Sequence, residues 1–161
     1  MRSLAAALAA LIALAATFPG PARASQYPLD QAAAIIPRDD APRLRKAGIR
    51  TTEDFLVWGR TAEGRRLLAE RCRLALDRIE AWVNLADLMR VRGIGPDVAR
   101  LLTAVGVRTL FDLQRADGDA TAASVRDFNK RTHLSTNPPG APSIKYWIEM
   151  SRALPVIVSR D

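Results

Sequence analysis

The chain repeats itself, and that repetition limits its fold more than any other feature. APRLRKAGIRTTEDFL (41–56) lies over ARLLTAVGVRTLFDLQ (99–114) at an offset of 58 residues. Gly48 matches Gly106, Ile49 matches Val107, Arg50-Thr51 matches Arg108-Thr109, Asp54 matches Asp112 and Phe55 matches Leu113. Each shared position has a mechanical reason. A glycine after a helical stretch suits the left-handed cap that ends a helix. The threonine three residues later suits the N-cap of the next helix, and an aspartate three residues after that sits near the helix's positive end. Further on, RIEAWV (78–83) lies over SIKYWI (143–148) at an offset of 65, pairing Ile79 with Ile144 and Trp82 with Trp147. The seven additional residues of the second copy fall most simply at TNPPGAPS (136–143), a loop by composition.

Each copy therefore reads as helix, tight turn, helix, glycine stop, capped helix and Trp-bearing helix. Apolar spacings of three and four recur, and no alternating strand run is convincing. Pro155–Val158 is strand-like but too short to matter. The fold class expected is all-α, with two repeats sharing one core. Trp82 and Trp147 are expected to lock the last helix of each repeat into that core; the alternative is stacking on nucleic-acid bases. Trp58 has no counterpart in the repeat and is expected at the surface.

The N-terminus has the layout of a secretory signal. Arg2 precedes an apolar run from Leu4 to Phe18, Pro19-Gly20-Pro21 breaks it, and Ala22-Arg23-Ala24 offers a small-x-small cleavage site before Ser25. A membrane anchor is the alternative, but a run this short falls below the ~20 apolar residues of a bilayer span. Residues 1–24 are therefore assigned to a signal peptide, and the mature protein to the periplasm or the medium, with no stable membrane span after cleavage.

Charge and cysteine content narrow the partners. The full chain carries a formal net charge of +7. Residues 26–88 hold 11 basic and 10 acidic side chains, whereas 89–161 hold 11 and 7. This basic excess favours an acidic partner without requiring one. Cys72 is the single cysteine, so no internal disulfide forms and an apolar core must hold the domain. Lying among Leu68, Leu74 and Leu76, Cys72 is expected to be a small core residue.

The segment LADLMRVRGIGPDVARLLTAVGVRTLFDL (85–113) resembles a helix-hairpin-helix domain. More broadly, 26–156 resembles a tandem family described only as a domain of unknown function, number four-three-three-two. GRTAEGRRLLAE (59–70) and WVNLADLMRVRGIGPDVARLLTAVGVRTL (82–110) carry that likeness. The resemblance implies a first, degenerate repeat over 25–88 and a second over 89–158 with an intact Gly93-Ile94-Gly95-Pro96 hairpin. Helix-hairpin-helix units elsewhere bind DNA or RNA backbones without sequence preference. Some exported ones bind proteins, such as an extrinsic photosystem subunit, while the competence DNA receptor binds DNA. Fold alone does not choose between these. The first repeat carries Ile35-Ile36-Pro37-Arg38 where the glycines would stand, followed by Asp39 and Asp40, which would repel phosphate.

The candidate contact residues are therefore Arg90, Arg92, Gly93, Ile94, Gly95 and Arg100. A helix N-terminus offers backbone N–H donors and a positive dipole end to an anion, and glycine lets it approach. Pro96 fits the first helical position. Such a hairpin would give weak, sequence-blind, salt-sensitive binding. Against this, a close crossing of two helices needs glycines whether or not an anion is present, and Asp97 at the lip opposes one. A tight corner or a protein contact is the favoured reading, with a protein partner in the cell envelope; nucleic acid is the alternative partner. No nucleophile elbow or paired-carboxylate spacing marks an enzyme, and one His (His133) with one Cys does not make a metal site. Neither cofactor nor metal is expected. Asn129-Lys130-Arg131 reads as a solvated helix end.

Overall fold

The computed structural model describes residues 27–29, 31–32 and 35–159. The proposed signal segment, 1–24, lies outside the described residues. Among the described residues eight helices follow one another: α1 Ala41–Lys46, α2 Thr52–Gly59, α3 Ala62–Cys72, α4 Leu76–Leu88, α5 Pro96–Ala104, α6 Leu110–Arg115, α7 Gly118–Thr132 and α8 Ala141–Arg152. No strand occurs among the described residues. An isolated antiparallel bridge pairs Pro28 with Thr51 and ties the start of the described chain to the head of α2. The chain is all-α, as its spacing predicts.

Two segments adopt the same local geometry. After α1, Gly48 takes φ +90°; after α5, Gly106 takes φ +97°. The amide of Ile49 donates to Leu44 O at 3.0 Å and that of Gly48 to Arg45 O at 3.0 Å. At the second site Val107 donates to Leu102 O at 2.9 Å and Gly106 to Thr103 O at 3.1 Å. These are the paired bonds of a Schellman ending, and its accompanying apolar contact is supplied by buried Leu44 with Ile49 and Leu102 with Val107. The chain then restarts identically. Thr51 Oγ1 accepts from the amide of Asp54, whose carboxylate accepts from the amides of Arg50 and Thr51. Thr109 and Asp112 do the same with Arg108. Both are capping boxes, with Asp standing where Glu or Gln is usual.

A single apolar core runs through the molecule from Leu29 to Val158. Helix α4 packs on α2, α3, α5 and α6. Trp82 projects from α4 into the first half, with its ring centroid 6.1 Å from that of Phe55, while Trp147 of α8 is buried in the second. Both indoles are core residues and Cys72 is buried beside Leu68, as expected. Trp58 is exposed, also as expected.

The C-terminal tail closes the two halves together. The Ser159 amide donates to Arg60 O at 2.7 Å, and Arg65, buried, donates to Gly59 O at 3.1 Å and Ser159 Oγ at 3.4 Å. Residues 155–158 thus form a strap, neither strand nor free end. Two sequence expectations need correction. The loop placed at 136–143 ends earlier, because Gly140 caps α8 and Ala141–Ser143 are its first turn. Asn129 is not part of a solvated end: it is buried, and its amide group bonds both the N–H and the C=O of Ser135, pinning the loop after α7.

Candidate functional site

The turn at 92–100 begins where α4 runs out. Val91 donates to Leu88 O and Ile94 to Val91 O, so the chain folds back within three residues. Ile94 and Val91 are buried and anchor the corner. Gly93 carries φ +95°, a conformation that side chains disfavour. A Cβ at position 93 would also lie 2.9 Å from Trp147 Nε1. The glycine is thus required twice by the fold itself, for its backbone angle and for the indole packed against it. Gly95 differs. It is the N-cap of α5 in an extended conformation, φ −92° and ψ 179°, and a Cβ there would meet only the Tyr27 hydroxyl, at an ordinary 3.6 Å.

The three arginines around the turn have separate fates. The Arg90 guanidinium is directed inward: Nη1 donates to Asp87 Oδ1 at 2.7 Å and to Pro155 O at 3.0 Å, with the side chain 8% exposed. Arg92 is exposed. Arg100 is half-buried on α5, in a shallow groove with Leu85, Thr103 and Phe128. Among the described residues no side chain caps α5, and Pro96 opens it, so its first-turn N–H donors find no side-chain acceptor there. Asp97 sits in that first turn and complements the dipole itself. The turn therefore keeps the donor set of an anion site, with one of its arginines withdrawn and a carboxylate at its lip.

Asp87, which the sequence pattern does not distinguish, is the hub of this region. It is 1% exposed, accepts from Arg90, and accepts the Leu110 amide at 3.4 Å, so it joins α4 to the head of α6. Burial pushes its carboxyl above the usual carboxylate range, opposed by the hydrogen bond and charge of Arg90. It borders a cleft of about 430 Å³ lined also by Arg65, Glu80, Asn84, Arg108 and Asp112. Most of these charges are already engaged within the chain: Arg65 with Glu80 at 3.6 Å, Asp87 with Arg90, and Asp112 in its capping box. Such mutual pairing ties the elements around the cleft together. Among the described residues no group of three or more His, Cys, Asp or Glu could hold a metal ion. His133 takes a left-handed φ of 49° as the C-cap of α7 and is exposed, whereas Cys72 is buried on α3. No helix among the described residues is long and apolar enough to cross a membrane.

Comparison with known proteins returns one family. The model of Domain of unknown function (DUF4332) matches residues 35–154, covering α1 to α8. No curated protein and no solved structure matches the chain.

Proposed function

This chain belongs to the DUF4332 family, and we propose that it is an exported, non-catalytic binding module with a protein-interaction or scaffold role. In this reading residues 1–24 are a signal peptide removed before Ser25, and the mature protein works in the periplasm or outside the cell. Residues 25–88 form a first, degenerate helix-hairpin-helix repeat and 89–158 a second with its hairpin glycines intact. The matching stop-and-restart geometry of Leu44–Asp54 and Leu102–Asp112 supports the repeat.

One observation carries the choice of partner: the indole of Trp147 lies where a side chain at Gly93 would be. The signature glycine is thereby accounted for by packing, and the inward commitment of Arg90 removes a phosphate contact from the same turn. Exposed apolar side chains at Val57, Trp58 and Leu67 are the kind of surface that protein partners cover. The alternative is sequence-independent binding of a DNA or RNA backbone through Gly93–Arg100. It is favoured by the uncapped start of α5 and by exposed Arg92.

Cross-linking in cells, capture of the tagged full chain and N-terminal sequencing test the proposal together. The expected result is a chain beginning at Ser25, recovered from the envelope or the medium with a recurrent protein partner. A cytoplasmic chain still carrying residues 1–24, or one recovered with nucleic acid and no protein, would contradict it.

A further inference from the structure

Among the described residues α3 packs against α1, α2 and α4, and its outward face is covered by no further helix. Its buried positions, Arg65, Leu68, Ala69 and Cys72, all point one way. On the opposite side, Glu63, Arg66, Leu67, Glu70 and Arg71 are exposed, with Leu67 at 55%. Trp58 of α2, 47% exposed, stands beside this face with the Arg71 guanidinium 5.7 Å from its ring, and the two flank a groove floored by Leu68. Among the described residues no ion pair within the chain engages Glu63, Arg66 or Glu70.

The order of these charges is self-complementary. Glu63, Leu67 and Arg71 form one ridge at four-residue spacing, with an acid and a base each about 6 Å along the axis from the central leucine. Laid against a second α3 in antiparallel sense, about a two-fold axis at Leu67, Glu63 of each copy comes opposite Arg71 of the other, and Arg66 comes beside Glu70. Ridges of this spacing run alongside one another when helices cross near −50°. A parallel arrangement would set Glu63 against Glu63 and Arg71 against Arg71. We infer that this face is an isologous interface and that its occupant is a second copy of this chain, with Leu67 and Trp58 as the apolar centre and the Glu63–Arg71 pairs repeated by symmetry. The face is a single helix wide, so the dimer is a weak, concentration-dependent one. This inference rests on the proposed interaction role and deepens it, because Trp58 and Leu67 are among the exposed apolar side chains that reading gives to a protein partner.

Sedimentation of the full mature chain over a concentration series tests it. The wild type dimerises, and Leu67→Glu, a substitution at an exposed position, abolishes the dimer. Glu63→Lys and Arg71→Glu each weaken it about tenfold or more, since each turns two attractions into two repulsions. Mixing those two variants restores association. In the mixed dimer the lysine introduced on one copy faces the glutamate introduced on the other, and the remaining native Arg71 faces the remaining native Glu63. Circular dichroism verifies that each variant is folded. A wild type that stays monomeric to its solubility limit overturns the proposal. So does a dimer that Leu67→Glu leaves intact, an absence of rescue on mixing, or a monomer whose α3 face takes up a different protein.

Discussion

The Nε1 of Trp147 lies 2.9 Å from the point a Cβ on Gly93 would occupy, so α8 closes over the turn between α4 and α5. That contact joins the two ends of the second half of the chain. It also separates two glycines that look equivalent in sequence. Gly93→Ala combines a disfavoured positive φ with a steric conflict against the indole, and should destabilise the protein by about 2 kcal/mol or more. Gly95→Ala meets neither and should change stability by under about 1 kcal/mol. Chemical denaturation of both variants measures the difference, and equal losses would remove the special role given to Gly93.

The two capping boxes should behave alike. Thr51→Ala and Thr109→Ala each remove one hydroxyl acceptor from a helix start and should each cost about 1 kcal/mol. Denaturant midpoints for the two single variants check this. A large loss at one and none at the other would mean that the matching geometry does not carry matching energy.

Much of this was legible in advance. The glycine stops, the threonine caps and the burial of Trp82 and Trp147 follow from local pattern, because the physics that enforces them acts within a few residues. What pattern cannot reach is the partner across the fold. Arg90 reads as a surface cation beside a phosphate turn, yet it turns inward because Asp87 and the Pro155 carbonyl are there to receive it. Arg65 is buried by the strap at Ser159, ninety-four residues away. Arg73 and His133 end helices in the left-handed conformation that the pattern reserves for glycine. Within the candidate site, the turn itself was readable; the committal of its flanking arginine, and the indole above its glycine, were not.

Asp87 gives a pH test. Its carboxyl is raised by burial, so the folded state holds that proton more tightly than the unfolded chain does. The contribution is therefore fully present below the ordinary carboxylate range and is lost as pH rises through the raised value. Asp87→Asn should flatten the stability profile over that interval. Asp87→Ala should cost about 3–5 kcal/mol at neutral pH, since it leaves the Arg90 guanidinium buried without its carboxylate. Thermal melts across pH for wild type and both variants decide it; profiles that superimpose would show that Asp87 does not titrate in that range.

Cys72 should be inert in the native protein. It is buried on α3, and burial pushes its thiol up, only partly opposed by Arg71. Reaction with a thiol reagent at mildly alkaline pH should be slow until denaturant is added, and should then go to completion with one equivalent. Rapid modification of the folded chain would mean that the α3 side of the core opens readily.

The turn at Gly93 to Arg100 is the place where packing and phosphate binding make opposite claims. Titration of the protein with labelled duplex DNA over a salt series, for wild type and Gly95→Glu, separates them. With the turn acting as a packed corner, affinity at physiological salt is no better than that of a generic weakly basic protein, and Gly95→Glu changes it only by its added charge. Micromolar binding at that salt, abolished by Gly95→Glu in a variant that remains folded, would contradict this and make the hairpin a grip on nucleic acid.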